Sequence, residues 1–224
     1  MNRVLDHKWD LDKKEVIALQ KTLAGGVIRE DSFERLKYIV GVDVAYRNRD
    51  DIVSAAAVVL DVDTLDIIET KTINDIAKFP YIPGLFSLRE LPPIINALEQ
   101  LTITPDLLVC DGNGIAHPRR FGIACHLGIL FDIPAIGCAK TRLTGEHSQV
   151  GPIRGDFVPL IDRDEVIGSV LRTQNEIDPV YVSPGHRVSL ETTRKLILKL
   201  SPRYRLPETT RLSDRYARRA LAEI

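Results

Sequence analysis

Tyr38-Ile39-Val40-Gly41-Val42-Asp43-Val44-Ala45-Tyr46, residues 38–46, is the stretch on which the fold turns. β-Branched and aromatic side chains fill it, as they fill strands. Asp43 closes its first apolar run, and a carboxylate at the end of a buried strand is costly unless something positive pairs with it. A second apolar run, Leu107-Leu108-Val109-Cys110, ends in the same way on Asp111. Two such ends, side by side in one sheet, would make a hard-oxygen pocket suited to Mg²⁺. Whether they meet depends on the elements between and around them.

Before residue 38, a helix is expected over 12–23, stopped by Gly25-Gly26. After it come three strands, 38–46, 52–61 and 65–73, joined by short polar links and read as an antiparallel meander. The pattern then changes. A helix over 87–101 carries Glu90, and its Pro92-Pro93 pair must lie near a helix start or force a kink. A short buried strand over 106–110, a helix over 120–131 and a strand over 134–139 follow. Beyond Thr141 the signals weaken: strands over 166–173 and 180–183, helices over 189–200 and 209–224. The order βββ-α-β-α-β predicts an α/β protein, a mixed sheet of meander plus parallel strands flanked by helices. This is the ribonuclease H-like order, in which the first and fourth strands are neighbours, so Asp43 and Asp111 would meet. With no repeat, low-complexity tract or linker, residues 1–224 read as one domain.

Composition narrows the class. The chain has 224 residues, 44% hydrophobic, enough to build a core without disulfides. Its three cysteines, Cys110, Cys125 and Cys138, lie in apolar stretches and match no zinc spacing, so buried thiols in a reducing cytoplasm are expected. No apolar run reaches about 18 residues, which argues against a membrane span. The first residues are charged and lack an apolar signal core. Net charge is −1, which does not by itself announce a nucleic-acid binder. Residues 194–224 nevertheless hold nine Lys/Arg against three acids. That basic end reads either as a phosphate-contacting face or as a solvated helix surface.

Three constellations carry chemistry. In Pro80-Tyr81-Ile82-Pro83-Gly84 two prolines stiffen a loop and Gly84 permits a turn or close approach to a ligand. Tyr81 and Ile82 are apolar on an expected surface loop, either packed on the sheet or forming a wedge that enters a base stack. In residues 111–122, DGNGIAHPRRFG, Gly112 and Gly114 let backbone N–H groups face a ligand. There His117, Arg119 and Arg120 offer donors to phosphate, and Gly122 opens a helix whose N-terminus favours anions. Lys140, just past a strand, would point at the same sheet edge as the acids and steady a phosphate as a point charge. His7, His126, His147 and His186 show no partner pattern.

Taken together, VGVDVAY (40–46), PYIPGLFSLRE (80–90), VCDGNGIAHPRRFGIACHLG (109–128), PAIGCAK (134–140) and LPETTRLSDRYA (206–217) resemble the endonuclease V family of deoxyinosine 3′ endonucleases. The resemblance implies a ribonuclease H-like fold and Mg²⁺-dependent cleavage, with Mn²⁺ substituting. The cut would fall at the second phosphodiester bond 3′ to a deaminated adenine. It makes Asp43 and Asp111 the principal metal ligands and Glu90 the third acid. Tyr81 becomes the tip of a strand-separating wedge flanked by Pro80, Ile82 and Pro83. Lys140 lies near the scissile phosphate, and His117 is an active-site histidine. Gly84, Phe86, Gly112, Gly122 and Ile123 form the base pocket. Asn113 stands where many relatives carry Gln. Asp214 stands at a helical position compatible with a metal-side or water-holding role.

The expected partner is inosine-containing nucleic acid, DNA before RNA, met by a monomer with no membrane association. Three rivals remain: an inosine-specific endoribonuclease, a structure-selective ribonuclease H-like nuclease without base specificity, and a non-enzymatic binding module using the basic end. The wedge and glycine pocket argue against the second. The intact set of Asp43, Glu90, Asp111 and Lys140 argues against the third.

Overall fold

A computed structural model describes residues 1–47, 51–80 and 82–224. The elements run α1 (Lys13–Ala24), β1 (Tyr38–Tyr46), β2 (Ile52–Asp61), β3 (Ile67–Ile76), α2 (Ser87–Glu99), β4 (Leu107–Asp111), α3 (Ile123–Phe131), β5 (Ala135–Ala139), β6 (Phe157–Asp162), β7 (Glu165–Leu171), β8 (Val180–His186), α4 (Leu190–Leu200) and α5 (Glu208–Ala222). Among the described residues the strands make one eight-stranded sheet in the order β3-β2-β1-β4-β5-β8-β7-β6.

The meander is antiparallel, with Tyr38 opposite Asp61 and Tyr46 opposite Val53. On its other side β1 pairs parallel with β4, Val42 against Cys110. Strand β4 in turn pairs parallel with β5, Asp111 against Cys138. This is the expected mixed sheet, and it sets Asp43 beside Asp111.

Alternation along the strands then sorts side chains by face. Val40, Val42, Val44, Leu108 and Cys110 pack into the cluster beneath α2 and α3. Ile39, Leu107, Val109, Ile136 and Cys138 pack into the opposite cluster with α4 and α5 residues such as Ile197 and Leu212. By the same parity Asp43, Asp111 and Lys140 belong to the α5 face. Helix α5 lies close because Gly41 has no side chain: a Cβ there would stand 2.2 Å from the Thr209 carbonyl oxygen. Even alanine at residue 41 would push α5 off the strand that carries Asp43.

Helix α1 starts at a full capping box: Asp12 accepts from Lys14 and Glu15 N–H, and Glu15 reaches back to the Asp12 N–H. Several boundaries depart from expectation for local reasons. Leu65 sits in a turn at φ 62, so β3 begins at Ile67. Arg120 adopts φ 56, so α3 starts only at Ile123, with Gly122 as N-cap. Pro92 and Pro93 lie inside α2. Strand β6 was not foreseen. It carries Pro159, which lacks a ladder donor, and it lies at the sheet edge, where that is tolerated. All three cysteines are free and buried. Among the described residues no helix is long and apolar enough to cross a membrane.

Candidate active site

Asp43, three residues short of the end of β1, stands beside Asp111 at the end of β4, with Lys140 just past β5, one strand further. Lys140 Nζ donates to Asp111 Oδ2. The Lys140 side chain is 40% exposed and that of Asp111 14%. Burial works against the ammonium, but Asp111 and then Asp43 outweigh it and hold its pKa above the usual lysine value. Asp43 accepts from the Val44 N–H at 2.8 Å. Burial, and after it the Asp111 charge, raises the Asp43 carboxyl well above the usual carboxylate range. The Lys140 backbone is pinned as well, because Arg205 Nη2 donates to its carbonyl at 2.7 Å.

Glu90 approaches from α2. Tyr46 at the end of β1 donates its hydroxyl to Glu90 Oε1 at 2.6 Å. The neighbouring Arg89 donates to the Phe79 carbonyl at 2.6 Å, at the root of the proline loop. Burial above all pushes Glu90 up to about 7. Its folded value lies above its unfolded one, so its contribution to stability is full at low pH and lost as pH rises through about 7. Glu90→Gln keeps the acceptor for Tyr46 and cannot ionise. In chelator at about pH 8 it should be more stable than the parent by on the order of 2 kcal/mol, with the gap closing near pH 5. Thermal melting across that range checks this, and equal melting temperatures at the upper end would count against a strained Glu90.

Three carboxylates thus face one ammonium, a deficit of positive charge that a divalent cation fits. Among the described residues no three His, Cys, Asp or Glu side chains converge into a ready-made metal cage. Mg²⁺ does not require one, since it commonly takes one or two carboxylates and fills its shell with waters and phosphate oxygens. Asp43 and Asp111 could supply that pair.

A cleft of about 270 Å³ opens beside Glu90, Asp111 and Lys140. One wall is Gly84 and Phe86. The other runs through Gly112, Asn113, His117, Gly122 and Ile123. Gly84 sits at φ 77, where a side chain would be strained. Its carbonyl receives three donors: Arg119 Nη2 at 2.7 Å, His117 Nε2 at 2.9 Å and Gln20 Nε2 at 3.1 Å. His117 Nδ1 faces the Arg119 N–H at 3.2 Å and so must accept. The imidazole is therefore the neutral Nε2–H tautomer, and burial holds its pKa down to about 4.

The endonuclease V family model matches residues 21–215. The chain belongs to the endonuclease V family. Endonuclease V of Azotobacter vinelandii is 49% identical over 211 residues, 94% of this chain and 96% of the relative. The crystal structure of endonuclease V from Streptomyces avermitilis superposes with a TM-score of 0.92 at 45% identity, covering 98% of this chain and 97% of that one. Ciona intestinalis endonuclease V, solved with a 24mer DNA containing an inosine followed by a ribo-adenosine, has a TM-score of 0.81 at 26% identity, covering 94% and 98%. An endonuclease V is a nuclease, hence a phosphodiesterase.

The other expected endonuclease V positions fall as follows. Tyr81 lies outside the described residues. Pro80 and Pro83 are exposed, while Ile82 packs on the Val16, Phe79, Leu85 and Leu88 cluster. Asp214, on α5, lies close enough to Lys140 to help raise its pKa, yet its carboxylate is held by Arg218 Nε at 2.8 and 2.9 Å. Arg120, expected to serve phosphate, ties instead to Glu165 and Asp162. Much of the basic end is paired in place, through Arg211–Glu208, Arg218–Asp214, Arg219–Glu223, Lys195–Glu191 and Lys199–Asp63. That favours the solvated-surface reading. Three residues at the endonuclease V site went unread in the sequence: Tyr46, Arg205 and Gln20. The last stands just ahead of the matched residues. A glutamine on the otherwise apolar face of α1, four residues after Val16, was the available signal.

Proposed function

We propose that this chain is a Mg²⁺-dependent endonuclease of DNA repair that recognises hypoxanthine, the base of deoxyinosine, and nicks the strand at the second phosphodiester bond on its 3′ side. One observation carries the reading: Glu90 and Asp111 of the carboxylate cluster line the same cleft as the glycines Gly84, Gly112 and Gly122. Hypoxanthine offers an O6 acceptor and an N1–H donor. At the N-terminus of α3 the Gly122 and Ala124 N–H groups already donate to the Gly114 and Asn113 carbonyls, which leaves the Ile123 N–H at the cleft for an acceptor. Adenine reverses the polarity of that edge and would leave buried groups unpaired, which a polar pocket rejects strongly. The inosine-containing DNA on the Ciona relative supports the same ligand.

Asp43 and Asp111 would hold Mg²⁺, with Glu90 as the third acid; Mn²⁺ suits the same oxygen donors. When bound, the metal supplies an activated water and offsets charge on the leaving oxygen. Lys140, loosed from Asp111, steadies the scissile phosphate as a point charge. Neutral His117 donates to Gly84 and holds the pocket wall. Three free buried thiols suit a reducing cytoplasm.

The test is competition binding in Ca²⁺, which lets strands bind without being cut. Unlabelled inosine DNA, inosine RNA and matched adenine DNA each displace a labelled inosine DNA. Inosine DNA should compete at least tenfold better than adenine DNA, and inosine RNA no better than inosine DNA. Equal competition by adenine would remove base recognition, and better competition by RNA would make the substrate RNA. Tyr81→Ala should weaken inosine binding by about one to two powers of ten, because stacking on an aromatic is worth roughly 1–3 kcal/mol. Tyr81→Phe should lose little. Undiminished binding by Tyr81→Ala would make the proline loop a packing element.

A further inference from the structure

The geometry points to Gln20 as a positioning residue for base specificity, one that sets the gap between the two walls of the cleft by clamping the Gly84 carbonyl together with Arg119 and His117. This rests on the reading that the cleft receives the hypoxanthine base.

Gln20 is 1% exposed on a helix face shared with fully buried Val16. A primary amide in such a place is costly unless every polar atom finds a partner. Here each does. Oε1 accepts from Arg119 Nε at 2.5 Å, and Nε2 donates to Gly84 O at 3.1 Å and, at longer range, to Phe121 O at 3.5 Å. The guanidinium can only donate and the carbonyls can only accept, so the amide has one admissible orientation.

The consequence lies in which segments are joined. Gly84 belongs to the proline loop, Arg119 and His117 to the loop after β4, and Gln20 to α1. The Gly84 carbonyl is where all three meet. It has two lone pairs for three donors, so it is saturated by the protein and faces the neighbouring wall, not the ligand. The pocket reads its base with backbone groups, whose positions no side-chain rotamer can adjust. Their spacing must be imposed by a side chain that ties the walls together, and Gln20 stands in the lining of the cleft itself. Gln20 does this by bracing Arg119, which reaches across from the opposite wall, and by bonding to Gly84 directly. Loosening the brace widens the slot. A wider slot admits water beside the base and weakens discrimination between hypoxanthine and adenine, while Asp43, Asp111 and Lys140 stay where the strands put them.

The test compares the parent with Gln20→Leu, which removes both ends of the amide, and Gln20→Glu, which keeps the acceptor for Arg119 but replaces the donor to Gly84 with a repelling oxygen. Single-turnover cleavage in Mg²⁺ over a range of enzyme concentration gives half-saturation and maximal rate on an inosine strand and its adenine counterpart. Losing a neutral buried hydrogen bond corresponds to about a tenfold change. Both variants should raise half-saturation on the inosine strand about tenfold and shrink inosine-over-adenine discrimination by a similar factor. Maximal rates on the inosine strand should stay within about threefold of the parent, at an unchanged Mg²⁺ requirement. Thermal melting accompanies each variant; should Gln20→Leu not fold, Gln20→Glu carries the comparison. Undiminished discrimination in a folded variant would overturn the inference. So would an equal loss of rate and half-saturation on both strands, which is the mark of general loosening. A parent without inosine preference would overturn the base-pocket reading itself, and this inference with it.

Discussion

Asp43→Asn and Asp111→Asn each yield a folded protein that cuts inosine strands on the order of 10³-fold more slowly than the parent, or worse. Each change removes one anionic oxygen from the pair that would hold the metal and keeps the shape of the side chain. The fold should not suffer. Burial already disfavours the charged form of Asp43, so Asp43→Asn should melt at or above the parent temperature in chelator. Single-turnover cleavage together with thermal melting separates lost chemistry from lost structure. A folded variant cutting within tenfold of the parent would remove that aspartate from the centre of the mechanism.

Lys140→Ala has the next largest effect, and its pattern is distinctive. Loss of a fixed positive charge where negative charge develops commonly costs about 10²-fold in the chemical step. The maximal single-turnover rate should fall by about that factor, with half-saturation for the strand shifting by less than about threefold. At the same time the Mg²⁺ needed for half-maximal rate should decrease, because the ammonium that competes for Asp111 is gone. A merely structural lysine would lower rate and strand affinity together and would not lower the Mg²⁺ needed for half-maximal rate. An unchanged maximal rate would return Lys140 to the role of a flanking charge.

The sheet was legible in the sequence because its signals are local and strong. Residues 38–46 and 52–61 alternate or run apolar over their full length, and the observed β1 and β2 have those bounds. The topology then brought Asp43 beside Asp111 without any motif. Strand β6 was not legible, since Val158 and Leu160 are interrupted by Pro159 and the strand depends on its partners, β7 on one side and a bridge from Glu146 to Ile161 on the other. The start of α3 was misplaced because nothing in Arg120 announces a left-handed backbone.

Residues that act through contacts distant in sequence were the least readable. Gln20 and Gly84 are 64 positions apart, and Arg205 and Lys140 are 65 apart. His7 and His126, given no role from the sequence, meet at 2.7 Å across 119 positions. In each case the side chain alone looks ordinary, and only the packing of α1, the N-terminal segment or the loop before α5 gives it a partner. The opposite error arose for Arg120 and the basic end. Their charges suggested phosphate, but nearby acids take them up.

On the function proposed, one cleft reads hypoxanthine and lets a carboxylate-held metal cut the strand two phosphodiesters away. The most direct measurement is nucleotide-resolution mapping of cleavage on end-labelled strands that differ only by inosine or adenine at one position. Each strand is treated in Mg²⁺, in chelator, and in chelator followed by excess Mg²⁺. The expected result is a single cut at the second phosphodiester bond 3′ to inosine, absent in chelator, restored by Mg²⁺, and absent or weak on the adenine strand. Cutting that survives chelator, or that falls on both strands alike with no fixed distance from the inosine, would contradict it.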